Sequence, residues 1–137
     1  MKNIRVTLVP NETYVVIANG VMDPDNFAPN PNGLDIGFTF FLKPDVKETG
    51  TGTGVDFFGV HGVTDANSID IRVQGGATLF DNIMYGSVSD YQTLAPFNYT
   101  LQILDSAQSA VFYTVSNVDL TGLSGKSAVL LGSGDTY

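Results

Sequence analysis

The sequence predicts an all-β protein, an immunoglobulin-like or transthyretin-like antiparallel β-sandwich of about eight or nine strands. Three observations carry that expectation. Segments rich in β-branched and aromatic residues recur every ~8–15 residues with turn chemistry between them. Nowhere does a helical period persist for three turns. Gly (15), Phe (9) and Tyr (6) are plentiful, while charged residues make up only 15% of the chain. The 137 residues are one domain by length, large enough to bury a single core.

Each element has its own local reason. Thr13–Ala18 is β-branched and aromatic, closed by Asn19-Gly20, and reads as a strand buried on both faces. Leu34–Lys43 alternates. Leu34, Ile36, Phe38, Phe40 and Leu42 share one face, with Asp35, Gly37, Thr39, Phe41 and Lys43 on the other. The run Glu48–Gly54, alternating Thr and Gly, has the composition of a flexible linker, so a linker is expected over 47–54. Val55–His61 resumes as a strand. Ser68–Val73 alternates with Ile69, Ile71 and Val73 inward and Asp70 and Arg72 outward, and Gln74-Gly75-Gly76 signals a hairpin. Short strands are expected at Ala77–Phe80, Ile83–Tyr85 and Ser89–Thr93. Tyr99–Leu104, Ala110–Val115 and Lys126–Gly132 complete the set, and Leu120–Leu123 is read as one short helical or 3₁₀ turn.

Composition narrows the functional classes. Fourteen acidic against six basic residues leave a net charge of -8, unsuited to nucleic acid or anionic membrane, both of which demand a basic face. The absence of Cys excludes disulfides, thiolate metal sites and a cysteine nucleophile, and a single His excludes a multi-histidine metal site within one chain. The apolar stretch after Lys2 and Arg5 is broken by Pro10, Asn11 and Glu12, whereas a signal peptide needs ~7–15 uninterrupted apolar residues. No segment approaches the ~18–20 apolar residues of a membrane span, so a soluble chain without membrane insertion is expected.

An internal echo bears on organisation. Asn3–Gly20 lies over Asn117–Gly134 without a gap, with identities at Asn3/Asn117, Thr7/Thr121, Val15/Val129 and Gly20/Gly134. Apolar positions match at Ile4/Val118, Val6/Leu120, Val9/Leu123, Val16/Leu130 and Ile17/Leu131. The shared order of apolar pair, turn, apolar run and Gly favours a repeat. The chain then reads as a single sandwich, 1–137, in which 1–46 resembles the end of a preceding repeat and 55–137 forms the main repeat.

Val60-His61-Gly62-Val63-Thr64-Asp65-Ala66-Asn67-Ser68-Ile69-Asp70-Ile71 resembles the V-H-x-S-P-D-A-P-x-V-D-V opening of the domain of unknown function 4397 family. Asn82-Ile83-Met84-Tyr85-Gly86, Asp90-Tyr91 and Leu94–Thr100 are similar to that family's later stations, and Ser127–Gly134 to its closing strand. The likeness covers roughly 55–137. Val63-Thr64 stands where Ser-Pro is usual, Asn67 where Pro is usual, and Phe97-Asn98 where Ala-Gly is expected. The resemblance implies a secreted or cell-surface bacterial protein carrying such sandwiches in tandem, with no established catalytic residues.

Three sets of side chains are candidate sites. His61 with Asp65 and Asp70 is the one place where a general base could be assembled, because a lone His titrates near neutral pH beside a carboxylate. The competing and favoured reading packs His61 at a strand end, bonded to the turn that Asp65 begins. Asp23, Asp25, Asn26, Asn30, Asn32 and Asp35 offer hard oxygen donors at short spacing, as Ca²⁺ requires, although Asp, Asn, Pro and Gly are also what turns use. Phe41, Phe58, Phe80 and Phe112 fall opposite their strands' main apolar stripes. There they could stack on sugar rings or form an interface, unless the N-terminal segment covers that face.

The leading expectation is therefore a non-enzymatic extracellular structural or adhesion module, a unit of a tandem array or filament on the bacterial cell surface, joined by strand addition. Its partners would be neighbouring copies or repeats of itself, with a glycan or a host or cell-surface protein as further candidates. The alternative is a Ca²⁺- or glycan-binding sandwich of a cell-surface protein. No cofactor other than Ca²⁺ is suggested, and a hydrolase built on His61 ranks last.

Overall fold

The computed structural model describes residues 4–134. Nine strands occupy them: β1 (Val15–Asn19), β2 (Thr39–Lys43), β3 (Val55–Val63), β4 (Ser68–Val73), β5 (Thr78–Met84), β6 (Gln92–Leu94), β7 (Asn98–Asp105), β8 (Val111–Asp119) and β9 (Ser127–Gly134). They form a two-stranded sheet β1-β2, a three-stranded sheet β6-β3-β9 and a four-stranded sheet β5-β4-β7-β8. The all-β, sandwich-like class is as expected. Ladder direction is not uniformly so: β3 and β9 run parallel, from Asp56 opposite Ser127 to Val63 opposite Gly134. The other strand pairs are antiparallel.

β3 is the hub, and every one of its nine residues is buried. Its alternation sends Phe57 and Val63 into the core between the larger sheets, with Ile69 and Ile71 of β4 and Phe80 and Ile83 of β5. Phe57 and Phe80 meet edge to face at 5.4 Å. Gly59 makes that approach possible, since a Cβ there would lie 3.1 Å from Ile83 Cδ1 and 3.2 Å from Phe80 Cδ2. The other face of β3 presents Phe58 and Val60, which pack with Phe41, Val15 and Ile17 of the β1-β2 hairpin and with Val88 and Tyr91. The fold thus has a third layer, a hairpin lid over the outer face of the smaller sheet.

Several local expectations change. Only Thr39–Lys43 of the Leu34–Lys43 segment is strand. The residues before it are held by Val21 N–H to Ile36 O and Phe38 N–H to Val21 O, both 2.8 Å. The faces are reversed, with Phe41 buried and Phe40 exposed. Both are Phe, so alternation alone cannot say which one the lid turns inward. The two short strands expected around residues 77–85 are one strand, β5, interrupted by a bulge that sets Asp81 and Asn82 against Asp70. The strand expected at Ser89–Thr93 starts later, at Gln92. At Leu120–Leu123 the chain makes a turn closed by Leu123 N–H to Leu120 O, and a 3₁₀ turn occurs instead at Pro24–Asn26.

The Thr/Gly run is not a loose linker. Gly50 N–H reaches Gly125 O at 2.8 Å, Gly125 N–H reaches Gly54 O at 2.9 Å, and Ser124 Oγ donates to Thr53 O. Small residues allow the chain to wind tightly against the β8-β9 turn, so their frequency reflects close packing rather than free motion.

Candidate functional site

His61 lies wholly buried on β3. Its Nδ1 accepts from Val63 N–H at 3.2 Å, and its Nε2 is 2.9 Å from Ala66 O. A backbone N–H aimed at Nδ1 requires a lone pair there, so the proton sits on Nε2 and is donated to Ala66 O. Burial lowers the imidazole pKa, outweighing the Ala66 bond and the Asp65 charge, which act the other way. Tyr85 packs edge-on at 5.9 Å. Both ring nitrogens are thus engaged with the β3-β4 turn, and the neutral ring is a structural element of it.

Asp70, the proposed companion of His61, is buried on the β4 face opposite Ile69 and Ile71. Its Oδ1 accepts from Asn82 N–H at 2.7 Å and its Oδ2 from Gln108 Nε2 at 2.6 Å. It clamps the β5 bulge rather than serving His61.

Sequence reasoning passed over Asp56, a carboxylate that accepts from three side chains and a backbone N–H. It is fully buried on β3. Lys47 Nζ lies 2.6 Å from Oδ2, which also accepts from Thr51 N–H at 3.1 Å and Thr51 Oγ1 at 2.6 Å, while Thr93 Oγ1 donates to Oδ1. The Lys47 ammonium, followed by the Thr51 and Thr93 hydroxyls, holds the carboxyl well below the usual carboxylate range despite burial. The available signal was an Asp inside an otherwise apolar strand, with threonines on the segments that fold against it.

The oxygen-rich loop bonds mostly within itself, and the buried Asn32 Nδ2 has no hydrogen-bond partner among the described residues. Asp23 Oδ2 accepts from Asn26 Nδ2 at 2.7 Å, Asn32 Oδ1 from Leu34 N–H at 3.3 Å, and Asp35 Oδ1 from Gly37 N–H at 2.8 Å. Asn30 donates to Leu34 O and to Thr64 O, tying the loop to the β3-β4 turn. Asp25 sits in the 3₁₀ turn. Among the described residues, no three or more His, Cys, Asp or Glu side chains converge as a metal-binding group.

Of the four outward phenylalanines, Phe41 on the hairpin lid and Phe58 beneath it bury one another, and Phe80 lies in the inter-sheet core. The lid covers the face that alternation assigned to solvent. Phe112 alone is exposed, beside Val111 and Tyr113 on β8. Between the two large sheets opens an apolar cleft of about 190 Å³, lined in part by Phe57, Leu101, Val118, Leu120, Leu123 and Leu130.

The fold and these sites define a β-sandwich module in which the buried Asp56, His61 and Asp70 are each committed to holding loops and turns. Residues 59–136 match the family described as Domain of unknown function (DUF4397), and the chain belongs to that family. No curated protein and no solved structure matches it.

Proposed function

We propose that this protein is a non-enzymatic extracellular structural or adhesion module, a unit of a tandem array or filament at the bacterial cell surface whose neighbours join through sheet edges. The observation that carries the reading is where apolar surface remains exposed. Val111, Phe112 and Tyr113 lie on the edge strand β8, Val129 and Leu131 on the edge strand β9, and Val16 and Phe40 on the outside of the hairpin. Exposed apolar strands at open edges are association surfaces unless something covers them. The candidate general base is neutral and doubly bonded, which favours a structural role over catalysis. The acidic net charge keeps such a surface soluble between contacts.

Copies joined head to tail at an offset of 114 residues (Asn3 to Asn117) test this reading by negative-stain microscopy and small-angle scattering, alongside single chains. Stiff rods that lengthen by a constant increment per copy are expected. Flexible beads without contact between neighbours would overturn the reading.

A further inference from the structure

The internal echo has a backbone counterpart. Asn11 and Gly125, the same 114 residues apart, both adopt the left-handed conformation, at φ 64° and 69°. Gly20 and Gly134, the closing pair, do so too, at 83° and 107°. Positive φ is uncommon outside turns built for it, so its recurrence at two matched positions marks one structural unit occurring twice. Asn3, one of the four identities, lies outside the described residues.

The two copies of this unit are buried on complementary sides. In the second copy, Val129 borders the apolar cleft of the sandwich while staying largely open, and Leu120, Leu123 and Leu130 line it. Their counterparts Val6, Val9 and Val16 are exposed. Conversely, Val15 and Ile17 of the first copy pack against Phe58 and Val60, while their counterparts Val129 and Leu131 are 42% and 45% exposed. The segment before β2 therefore has the core-facing residues of a closing segment without a sandwich to receive them. β9 has the lid-facing residues of β1 without a β2 to join them. β9 is also an edge strand, with no partner on its far side among the described residues.

We infer that the β1-β2 pair is the joint between successive copies, and that β9 carries the β2 strand of a following copy of this repeat on its free edge. The register follows from that of β1 with β2, where Val15 faces Lys43, Ile17 faces Phe41 and Asn19 faces Thr39. Shifted by the offset, Lys43 of the following copy lies opposite Val129, Phe41 opposite Leu131 and Thr39 opposite Ser133. The joined strands then present Val129, Leu131 and Phe41 to β3 of the following copy, as Val15, Ile17 and Phe41 are presented to Phe58 and Val60 here. Leu42 of the following copy falls beside Leu130, on the core side. Main-chain bonding at the edge supplies affinity and the alternating side chains supply register. The inference rests on the array reading proposed above and specifies its contact.

Residues 24–46 appended directly after Tyr137 preserve the offset, because position 138 then corresponds to Pro24. The extended full chain is compared with the unextended one by amide hydrogen exchange and light scattering. We expect the β9 amides that face away from β3 to exchange on the order of tenfold more slowly or better, in a monomer. The same extension carrying Leu42→Asp in the appended segment alone, which sets a charge beside Leu130, removes the protection. An appended segment that leaves β9 exchange unaltered, or equal protection from the Leu42→Asp extension, would overturn the inference. Because the extended chain is read as a monomer, this outcome is separate from whether joined copies form rods.

Discussion

Lys47 Nζ lies 2.6 Å from Oδ2 of the buried Asp56, and this ion pair fastens a segment with the composition of a linker onto the central strand. The same lysine stands 4.9 Å over the Tyr91 ring, and its backbone N–H donates to the Tyr91 hydroxyl at 3.0 Å. A carboxylate taken out of water needs such a full set of donors, because desolvation would otherwise drive it neutral.

Asp56 should therefore govern acid sensitivity. Its folded-state pKa is depressed below 3.8, so its contribution is complete above that unfolded value. As pH falls below it, the unfolded chain takes a proton that the folded chain refuses, and stability is lost. Urea unfolding at pH 7 and pH 3 should show a smaller loss for Asp56→Asn than for the parent. Asp105 and Asp119, also depressed by local hydrogen bonds, bend both curves alike. Asp56→Ala, which strands the donors, is expected to cost about 3–5 kcal/mol at pH 7. Equal acid slopes in parent and Asp56→Asn would contradict the assignment.

His61 should act in a higher window. Its folded pKa lies below 6.5, so the unfolded chain gains the proton first as pH drops through that value, and stability falls with it. His61→Phe fills the site without titrating. It leaves Val63 N–H and Ala66 C=O without their ring partner, a cost of about 1–3 kcal/mol. Melting temperatures between pH 5 and 7.5 should slope for the parent and lie flatter for the variant. A variant with the parent's slope would mean that another group titrates there.

Gly59 tests the packing between sheets. A methyl group at this position meets Ile83 Cδ1 at 3.1 Å and the Phe80 ring at 3.2 Å, within a core that has no slack on that side. Gly59→Ala is expected to cost about 1–3 kcal/mol through overpacking. Ile83→Val removes the closest atom, so the double variant should recover part of that loss. Denaturant midpoints of the four proteins form the cycle, and strict additivity would show that the contact is not the cause.

The sandwich itself was legible because alternation and turn chemistry are local: SIDIRV sets Ile69 and Ile71 on one face and Asp70 on the other, and β4 and β7 pair as such strands should, although the face expected to be outward buries Asp70. What escaped depends on neighbours distant in sequence. Phe40 and Phe41 are the same residue type, so only the lid's docking on Phe58 decides which is buried. The parallel pairing of β3 with β9 joins residues that no hairpin signal connects. Thr51 and Gly50 look like linker residues until Asp56 and Gly125 supply their hydrogen-bond partners. His61 is legible as a ring bonded to the turn beyond it, because a lone His beside a turn has few other uses.

The bulge in β5 offers a last test, since it sets a strained residue under a buried carboxylate. Asn82 holds φ at 54°, and its N–H, displaced from the ladder, is accepted by Asp70, which Gln108 covers from the β7-β8 turn. Asp70→Ala leaves that N–H without its acceptor and should cost about 1–3 kcal/mol. Gln108→Ala removes the cover and should cost less, about 1 kcal/mol. Because both act on one carboxylate, the double variant should be less destabilised than the sum of the two, with a coupling of about 0.5 kcal/mol or more. Asn82→Gly, which relaxes the left-handed backbone, should be neutral or slightly stabilising, whereas Asn82→Val should lose about 1–3 kcal/mol. Additive losses for Asp70 and Gln108, together with equal tolerance of Gly and Val at position 82, would show that the bulge is held by the ladder alone.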